Sequence, residues 1–202
     1  MDIVFASVIL GMIILTIMNI NINMTQENWK GMVELNTQTE AIQLARIMEY
    51  DFYKIGYRVP PAAHPSFIVA DSEHLKFKTN LGDMAGAMDI VEYGLGGPVL
   101  DSKNPRDLML FRIENVTKVY INYSVIGFRV SYFDSNDVKI STPIFGAALN
   151  RIRSLRIMLK LESPEPFDTT YGGGYQYASA IYSKLIYPRS LIMFKYTSSS
   201  YN

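Results

Sequence analysis

The stretch IVFASVILGMIILTIM, residues 3–18, decides how this chain is organised. It is almost wholly apolar, and residues 3–26 contain no charged side chain. As a helix, these 24 residues would extend roughly 36 Å at ~1.5 Å per residue, and a bilayer's hydrocarbon layer is ~30 Å thick. Asn19, Asn21 and Asn23 make the end of the stretch polar. The pattern therefore predicts a membrane-spanning helix that reaches the head groups near these asparagines.

Two other interpretations of this stretch remain open. A cleaved secretory signal usually has basic residues before its apolar part and small residues at the cleavage point. Here Met1 and Asp2 precede the stretch, and no Ala-x-Ala follows it. A buried helix of a soluble protein is the other alternative, because sixteen strongly apolar residues are marginal for spanning a bilayer. The first basic residue is Lys30, so charge does not predict an orientation.

The overall composition narrows the class of protein. The chain has 202 residues, 49% hydrophobic and 19% charged, which suits one domain with an appendage and excludes intrinsic disorder. Nineteen basic and nineteen acidic residues leave no net charge, so nucleic acid is not an expected partner. The chain has no cysteine, which excludes disulfides, thiolate metal sites and cysteine nucleophiles.

A second helical pattern follows the apolar stretch. Residues 34–40 (ELNTQTE) are polar almost all round, and the apolar residues after them recur at helical spacing. Gly56 and the Pro60-Pro61 pair predict the end of this helix. Thr25 is a possible local cap, but an uninterrupted helix is equally consistent with the sequence. The residues predicted to pack this helix on a sheet are Ile42, Ala45, Met48, Phe52 and Ile55.

Beyond the prolines the period changes to two, which indicates strands. Leu155, Ile157, Leu159 and Leu161 alternate with polar or longer side chains, as in a half-buried strand. Further strands are predicted at residues 75–79, 108–113, 116–123 and 128–133. Gly127 is predicted to be a turn or bulge, and residues 134–137 (DSND) a hairpin loop. Residues 147–153 predict a short turn or helix, and residues 178–187 are consistent with either a strand or a helix. The predicted fold is therefore α+β, a long N-terminal helix packed on an antiparallel sheet. Its parts are residues 1–24 (apolar helix), 25–57 (amphipathic continuation) and 58–202 (β-rich globular domain).

Residues able to support catalysis or bind a cofactor are few. His64 lies in a proline-rich loop and His74 precedes a strand, and neither has a nucleophile motif around it. Residues 94–97 (GLGG) lack the third glycine of a dinucleotide site and predict a loop. Asp134, Asn136 and Asp137 are weak candidates for a Ca²⁺ site, although a hairpin turn explains the same residues. We expect no enzyme activity, no cofactor and no small-molecule substrate.

Six phrases in the chain carry a family resemblance. In order they are LAR at 44–46 with DFYKIGY at 51–57; Leu75-x-Phe77; Ile90-Val91-x-Tyr93; Leu110-x-Arg112; Phe128-x-Val130-x-Tyr132-x-Asp134; and IRSL at 152–155 with PRSL at 188–191. Together with the apolar N-terminal helix, they resemble the type IV filament superfamily of pilins and pseudopilins. The phrases are most similar to J-type minor pseudopilins and PilW-like minor pilins.

The resemblance implies a structural subunit of a pilus-like or pseudopilus-like assembly. Its apolar helix would lie in the membrane before assembly and then pack against other pilin-like subunits, polymerising or capping the filament. The globular domain would lie outside the cytoplasm or on an extracellular filament. The alternative is a single-pass protein that presents a binding domain at the membrane without polymerising. A membrane-tethered enzyme is the third hypothesis.

The N-terminal helix departs from the family pattern at one position. The family normally has a glutamate five residues into the mature chain, where this sequence has Phe5. Asp2 is the acid available near this end. Small residues in the apolar helix favour the exchange of lipid for protein contacts. The predicted helix–helix contacts involve Asp2, Phe5, Ala6, Ser7, Leu10, Gly11 and Ile14.

Overall fold

A computed structural model of the chain describes residues 2–82, 88–168 and 175–191, and the side chains of Asp2, Asn122, Tyr123, Asp168 and Tyr175 fall outside that description. Within these residues one long helix, α1 (Asp2–Tyr53), precedes the strands, and short 3₁₀ helices cover Pro61–Ala63 and Gly146–Arg151. The strands are β1 (Phe67–Ala70), β2 (His74–Thr79), β3 (Asp89–Pro98), β4 (Leu108–Glu114), β5 (Thr117–Phe133), β6 (Lys139–Ile140), β7 (Ser154–Glu162), β8 (Phe167–Asp168), β9 (Tyr175–Gln176) and β10 (Ser179–Ile186). The architecture is α+β.

Helix α1 is continuous over 52 residues, about 78 Å at 1.5 Å per residue. It does not restart at Thr25, whose hydroxyl donates to the Asn21 carbonyl inside the helix at 2.8 Å. The helix ends where Gly56 adopts a φ of +74°, a conformation that glycine reaches without a steric penalty. The Gly56 amide then donates to the Lys78 carbonyl at 2.9 Å, so the end of the helix is hydrogen-bonded to β2.

In the described part of the chain, eight strands form one antiparallel sheet. Its order is β1-β2-β3-β4-β5-β7-β10, and β6 pairs with β5 outside this path. Strands β8 and β9 form a separate two-stranded ribbon. The first five strands pair in the order in which they follow one another along the chain, as a meander. All the pairings are antiparallel, as the period-two pattern predicts.

The core lies between the second half of α1 and one face of the sheet. Phe52 is fully buried, and its ring makes edge-to-face contacts with Phe77 (5.8 Å between centroids) and Tyr93 (5.1 Å). Leu155, Ile157, Leu159 and Leu161 of β7 are also fully buried. The predicted alternation in this strand is confirmed, with Arg156, Met158 and Lys160 on the opposite, outer face.

The helix face that meets the sheet differs from the prediction at Ile42. Ala45, Met48, Phe52 and Ile55 are buried, whereas Ile42 is 49% exposed. At 3.6 residues per turn, Ile42 lies about 120° round the helix from Met48. Ala41 and Leu44, which lie close to the direction of Met48, are buried instead.

Two predictions about the strands are wrong. Residues 94–97 do not form a loop but belong to β3, where Gly94 pairs with Phe111 of β4. A Cβ at Gly94 would lie 2.7 Å from the Phe111 ring, so the glycine makes room for an aromatic side chain that crosses its strand. The predicted strands at 116–123 and 128–133 are one strand, β5, with a register shift at Gly127. Gly127 is therefore a bulge that bends a continuous strand.

Candidate assembly surface

The first half of α1 is exposed over residues 3–25, where Gly11 alone is half-buried. Its large apolar side chains are exposed, from 86% at Ile3 and 68% at Phe5 to 49% at Ile14. The helix is long and apolar enough to cross a membrane by length and composition. An apolar surface of this extent is stable only when lipid or protein covers it. This half of α1 is therefore the candidate site for membrane anchoring and assembly.

The predicted assembly residues do not all lie on one side of this helix. At 3.6 residues per turn, Ser7, Leu10, Gly11 and Ile14 form one stripe. Ala6 lies at the edge of that stripe, and Phe5 lies on the opposite side. The Asp2 backbone begins α1, but its side chain falls outside the described residues. Ser7 and Gly11 are small residues four positions apart in this stripe, a spacing that lets helix backbones approach closely in a membrane.

The hydroxyl groups of the apolar helix are satisfied within the helix itself. Ser7 donates to the Val4 carbonyl at 2.8 Å, and Thr16 donates to the Met12 carbonyl at 2.8 Å. Such bonds remove most of the penalty for a polar group in hydrocarbon. The helix therefore presents an apolar surface despite these residues.

A buried ionic network joins α1 to the middle of the sheet. The Asp51 side chain is 2% exposed, and its Oδ2 accepts hydrogen bonds from the Tyr93 hydroxyl (2.5 Å) and Arg112 Nε (2.7 Å). Arg112 Nη1 also reaches Glu114 Oε2 at 2.7 Å. Burial and the adjacent Asp51 charge raise the pKa of Tyr93, so this hydroxyl stays protonated and donates.

The same network fixes the charge of Arg112. Burial acts to lower the pKa of its guanidinium, but hydrogen bonds to Asp51 and Glu114 outweigh burial and raise the pKa. Arg112 therefore stays charged, and its contact with Asp51 holds the last turn of α1 against β4.

A second polar contact joins α1 to the edge strand β10. Glu49 accepts a hydrogen bond from the Tyr182 hydroxyl, and its Oε2 lies 2.5 Å from Lys184 Nζ. Burial acts to raise the pKa of Glu49, yet the hydrogen bonds from Lys184 and Tyr182 keep it below its usual value. Lys184 is itself partly exposed, so this contact adds orientation more than stability.

Acidic side chains meet where α1 passes the segment before β4 and the end of β7. Burial, reinforced by the Glu162 charge, raises the pKa of Asp107, and burial together with the Asp107 charge raises the pKa of Glu40. Asp107 Oδ2 accepts from the Ser102 hydroxyl, while its buried Oδ1 has no hydrogen-bond partner. Glu162 forms an ion pair with Arg106, with 2.7 Å between Glu162 Oε2 and Arg106 Nη2. Among the described residues, no group of three or more His, Cys, Asp or Glu side chains has metal-binding geometry.

The weak calcium candidates form a hairpin turn. Asp134 Oδ1 accepts from the backbone amides of Asn136 (2.9 Å) and Val138 (3.1 Å), which lowers the pKa of Asp134. Asp137 adopts a φ of +57° and accepts from the Tyr187 hydroxyl at 3.4 Å. The Asp134 carboxylate is thus used by the turn that connects β5 to β6, and the Asp137 carboxylate by Tyr187.

The two histidines lie apart from each other and have structural partners. His74 Nε2 lies 2.8 Å from Glu92 Oε1 on the neighbouring strand. His64 Nδ1 lies 3.1 Å from the Ser66 hydroxyl, and burial lowers the pKa of His64. Neither arrangement brings a histidine to paired acids in a cleft.

No family model, no curated protein and no solved structure matches this chain.

The Asp51 network is the main feature that the sequence interpretation did not identify. Asp51, Tyr93 and Arg112 are each part of a phrase in the family resemblance, but no pairing between them is predicted. One signal was present in the sequence: Asp51 lies three residues after Met48 and four before Ile55, on the border of the apolar helix face. A carboxylate on a core-facing border needs a buried cationic or hydroxyl partner.

Proposed function

We propose that this protein is a structural subunit of a pilus-like or pseudopilus-like assembly, and that it polymerises or caps through its apolar N-terminal helix. The membrane holds the helix before assembly, with the globular domain outside the cytoplasm. The observation that carries the proposal is the continuity of α1, which runs without a break from an uncovered apolar half to a half built into the domain core.

Continuity of the helix has a mechanical consequence. A hinge between anchor and domain would let the domain move independently, as suits a tethered binding module. Here the helix enters the core rigidly through Phe52 and is held by the ionic contacts of Asp51 and Glu49. Neighbouring helices that pack together therefore also fix the positions of their domains, which is the requirement for a regular assembly.

Exchange of lipid for protein contacts is favoured by the stripe of Ser7, Leu10, Gly11 and Ile14. Small residues four apart let two helix backbones approach closely, and association in a bilayer depends on such packing. No charged side chain in residues 3–26 opposes the insertion of this helix into hydrocarbon or into an apolar helix bundle. The same absence of charge suits a subunit that is first stored in the membrane.

A single-pass membrane protein that presents its domain without polymerising is the second candidate. The 24 uncharged residues are long enough to span a bilayer alone, without neighbours. The two candidates predict different environments for the stripe: protein in one case and lipid in the other.

Cysteine cross-linking distinguishes the two candidates. The chain has no native cysteine, so Leu10→Cys introduces a single reporter in the stripe. Oxidation of native membranes or filaments should give cross-linked pairs, and Gly11→Leu in the same background should reduce them about fivefold or more, equivalent to 1–2 kcal/mol of helix packing. The control Met12→Leu lies off the stripe and should have no effect.

Electron microscopy of the same material provides the second measurement. Filaments or tips that contain the chain, lost in Gly11→Leu and retained in Met12→Leu, would support the assembly role. A chain that stays monomeric in the membrane, without cross-links and without any polymer, would refute it and favour the anchored binding domain.

A further inference from the structure

The outer face of the sheet, opposite α1, carries a cleft of about 450 Å³. Strands β5, β6, β7 and β10 form its floor, and the turn between β1 and β2 forms one wall. The Val130 amide donates to the Ser72 carbonyl at 2.7 Å, which fixes this turn beside β5. The volume lies in the range of about 300–1,000 Å³ that is typical of small-ligand sites.

Three cationic side chains line the cleft because of strand register. Arg129 on β5 is opposite Met158 on β7, and Arg156 on β7 is opposite Ser131 on β5. The two arginines are therefore diagonal neighbours on adjacent strands, within about 7–8 Å at the backbone. Lys139 enters from β6, which pairs with the end of β5. All three side chains lie on the outer face of the sheet, because the residues next to each of them in its strand face the core.

These three cations lack the carboxylate partners that some other cations in the domain have. Arg112, Arg106 and Lys184 each form an ion pair. Among the described residues, no carboxylate forms an ion pair with Arg129, Lys139 or Arg156, and Arg156 instead lies 5.4 Å from the centre of the Phe133 ring. The cleft contains one acid, Glu73. Three close cations with one carboxylate leave an uncompensated positive field, which an anion would stabilise.

The rest of the lining indicates the kind of anion. Ser72, Ser131, Thr142 and Ser183 contribute hydroxyl groups, each able to donate and to accept a hydrogen bond. Guanidinium groups bind carboxylate and phosphate oxygens in pairs, and the ammonium of Lys139 adds a point charge. A lone inorganic ion would occupy little of the cleft. A sugar-sized ligand would fill it, with its oxyanion on the arginines and its hydroxyls on the serines and threonine.

We infer that this cleft binds a saccharide that carries an oxyanion, either a phosphate ester or a carboxylate. The site lies on the sheet face away from α1 and is independent of the proposed assembly. It is a recognition site for an acidic sugar, and it requires no catalytic group.

Binding to the full-length protein in detergent micelles tests the inference. Titration calorimetry with glucose 6-phosphate, glucuronate, inorganic phosphate and neutral glucose separates the sources of the charge. Either acidic sugar should bind at least about tenfold more tightly than glucose, and its affinity should fall as salt rises. Tighter binding of glucose 6-phosphate assigns a phosphate ligand, and tighter binding of glucuronate assigns a carboxylate.

Matched variants localise the binding. Arg156→Gln should weaken acidic-sugar binding about tenfold or more, the loss of one charge-assisted hydrogen bond. Lys118→Gln removes one charge from an exposed position of β5 outside the cleft and should leave the affinity unchanged. Glu73→Gln should strengthen binding, because it removes the carboxylate that repels the ligand.

Two results would overturn the inference. One is acidic sugars binding no better than glucose. The other is Arg156→Gln and Lys118→Gln having equal effects while both variants keep the native far-ultraviolet circular dichroism. Inorganic phosphate binding as tightly as glucose 6-phosphate would overturn the saccharide part and leave an oxyanion site.

Discussion

Replacement of Asp51 by alanine should destabilise the domain more than any other single loss of charge. In the native protein its Oδ2 accepts bonds from Tyr93 and Arg112, at 2.5 and 2.7 Å, and the carboxylate is 2% exposed. Alanine leaves the Tyr93 hydroxyl buried without this acceptor. It also leaves the Arg112 guanidinium, 17% exposed, with Glu114 as its remaining ion-pair partner.

The magnitude follows from the penalty for uncompensated buried groups. Breaking a buried ion pair by removing one partner costs about 3–5 kcal/mol, which includes the unsatisfied hydroxyl. The free energy of unfolding of a domain is about 5–15 kcal/mol, so the loss is a large fraction of the total stability. At about 2–4 °C per kcal/mol for a chain of this length, we expect the melting temperature to fall by about 6–20 °C.

Urea unfolding of the full-length chain in detergent micelles, followed by circular dichroism, measures this loss. Arg112→Met and the double variant complete a thermodynamic cycle. Because removal of both charges leaves no uncompensated ion, the double variant should be more stable than the sum of the two single losses by about 1 kcal/mol or more. Glu114→Gln is the control, and its partly exposed carboxylate should contribute at most about 1 kcal/mol.

Either of two results would contradict this role of Asp51. One is a loss below about 1 kcal/mol for Asp51→Ala, since this would mean that the network carries no net burial penalty. The other is additivity of the two single losses within about 0.5 kcal/mol, since this would mean that the two groups act independently.

Three further predictions concern the core, the helix end and the acidic cluster. Phe52→Ala should cost about 3–5 kcal/mol in urea unfolding, because it empties the space between Phe77 and Tyr93; a loss under 2 kcal/mol would contradict this packing. Gly56→Ala should cost about 1–3 kcal/mol, because its φ is +74° and the new Cβ would lie 2.7 Å from Ser66 Oγ; no change in melting temperature would contradict it. The raised pKa of Asp107 means that its ionisation in the native state opposes folding. The native protein should therefore gain stability from this group as pH falls through its raised native pKa toward the unfolded value of 3.8. Asp107→Asn should accordingly raise the melting temperature where the native carboxyl group is ionised, and its advantage over the native chain should narrow as the pH falls. A constant advantage at all pH values would contradict the assignment.

Local patterns predicted much of the fold because they depend on near neighbours in the chain. The apolar run at residues 3–18 has a composition and length that suit a helix, and α1 includes it. The alternation from Leu155 to Leu161 needs only one buried face to become a strand, and β7 has that face. The helix stop at Gly56 follows from the same local rule, because glycine tolerates a positive φ.

The errors occurred where distant residues decide the outcome. Gly94 looks like part of a loop in sequence, but the Phe111 ring on the next strand covers it and keeps it in β3. The helical spacing of apolar residues predicts that Ile42 is buried, yet the sheet contacts a face of α1 centred nearer Met48. In both cases the outcome depends on a residue that is close in space but distant in the chain, which the local sequence does not reveal.

The sequence by itself determined that the chain has an apolar, uncharged helix at one end and a period-two β region after it, because both are properties of consecutive residues. Tertiary structure alone decided that the second half of the same helix packs into the core of the β region. It brings Asp51 onto Tyr93 and Arg112, 42 and 61 residues away in the chain, and it sets Arg129 beside Arg156 through the register of β5 and β7. Charge pairs and charge clusters of this kind depend on register and helix rotation, which no short stretch of sequence encodes.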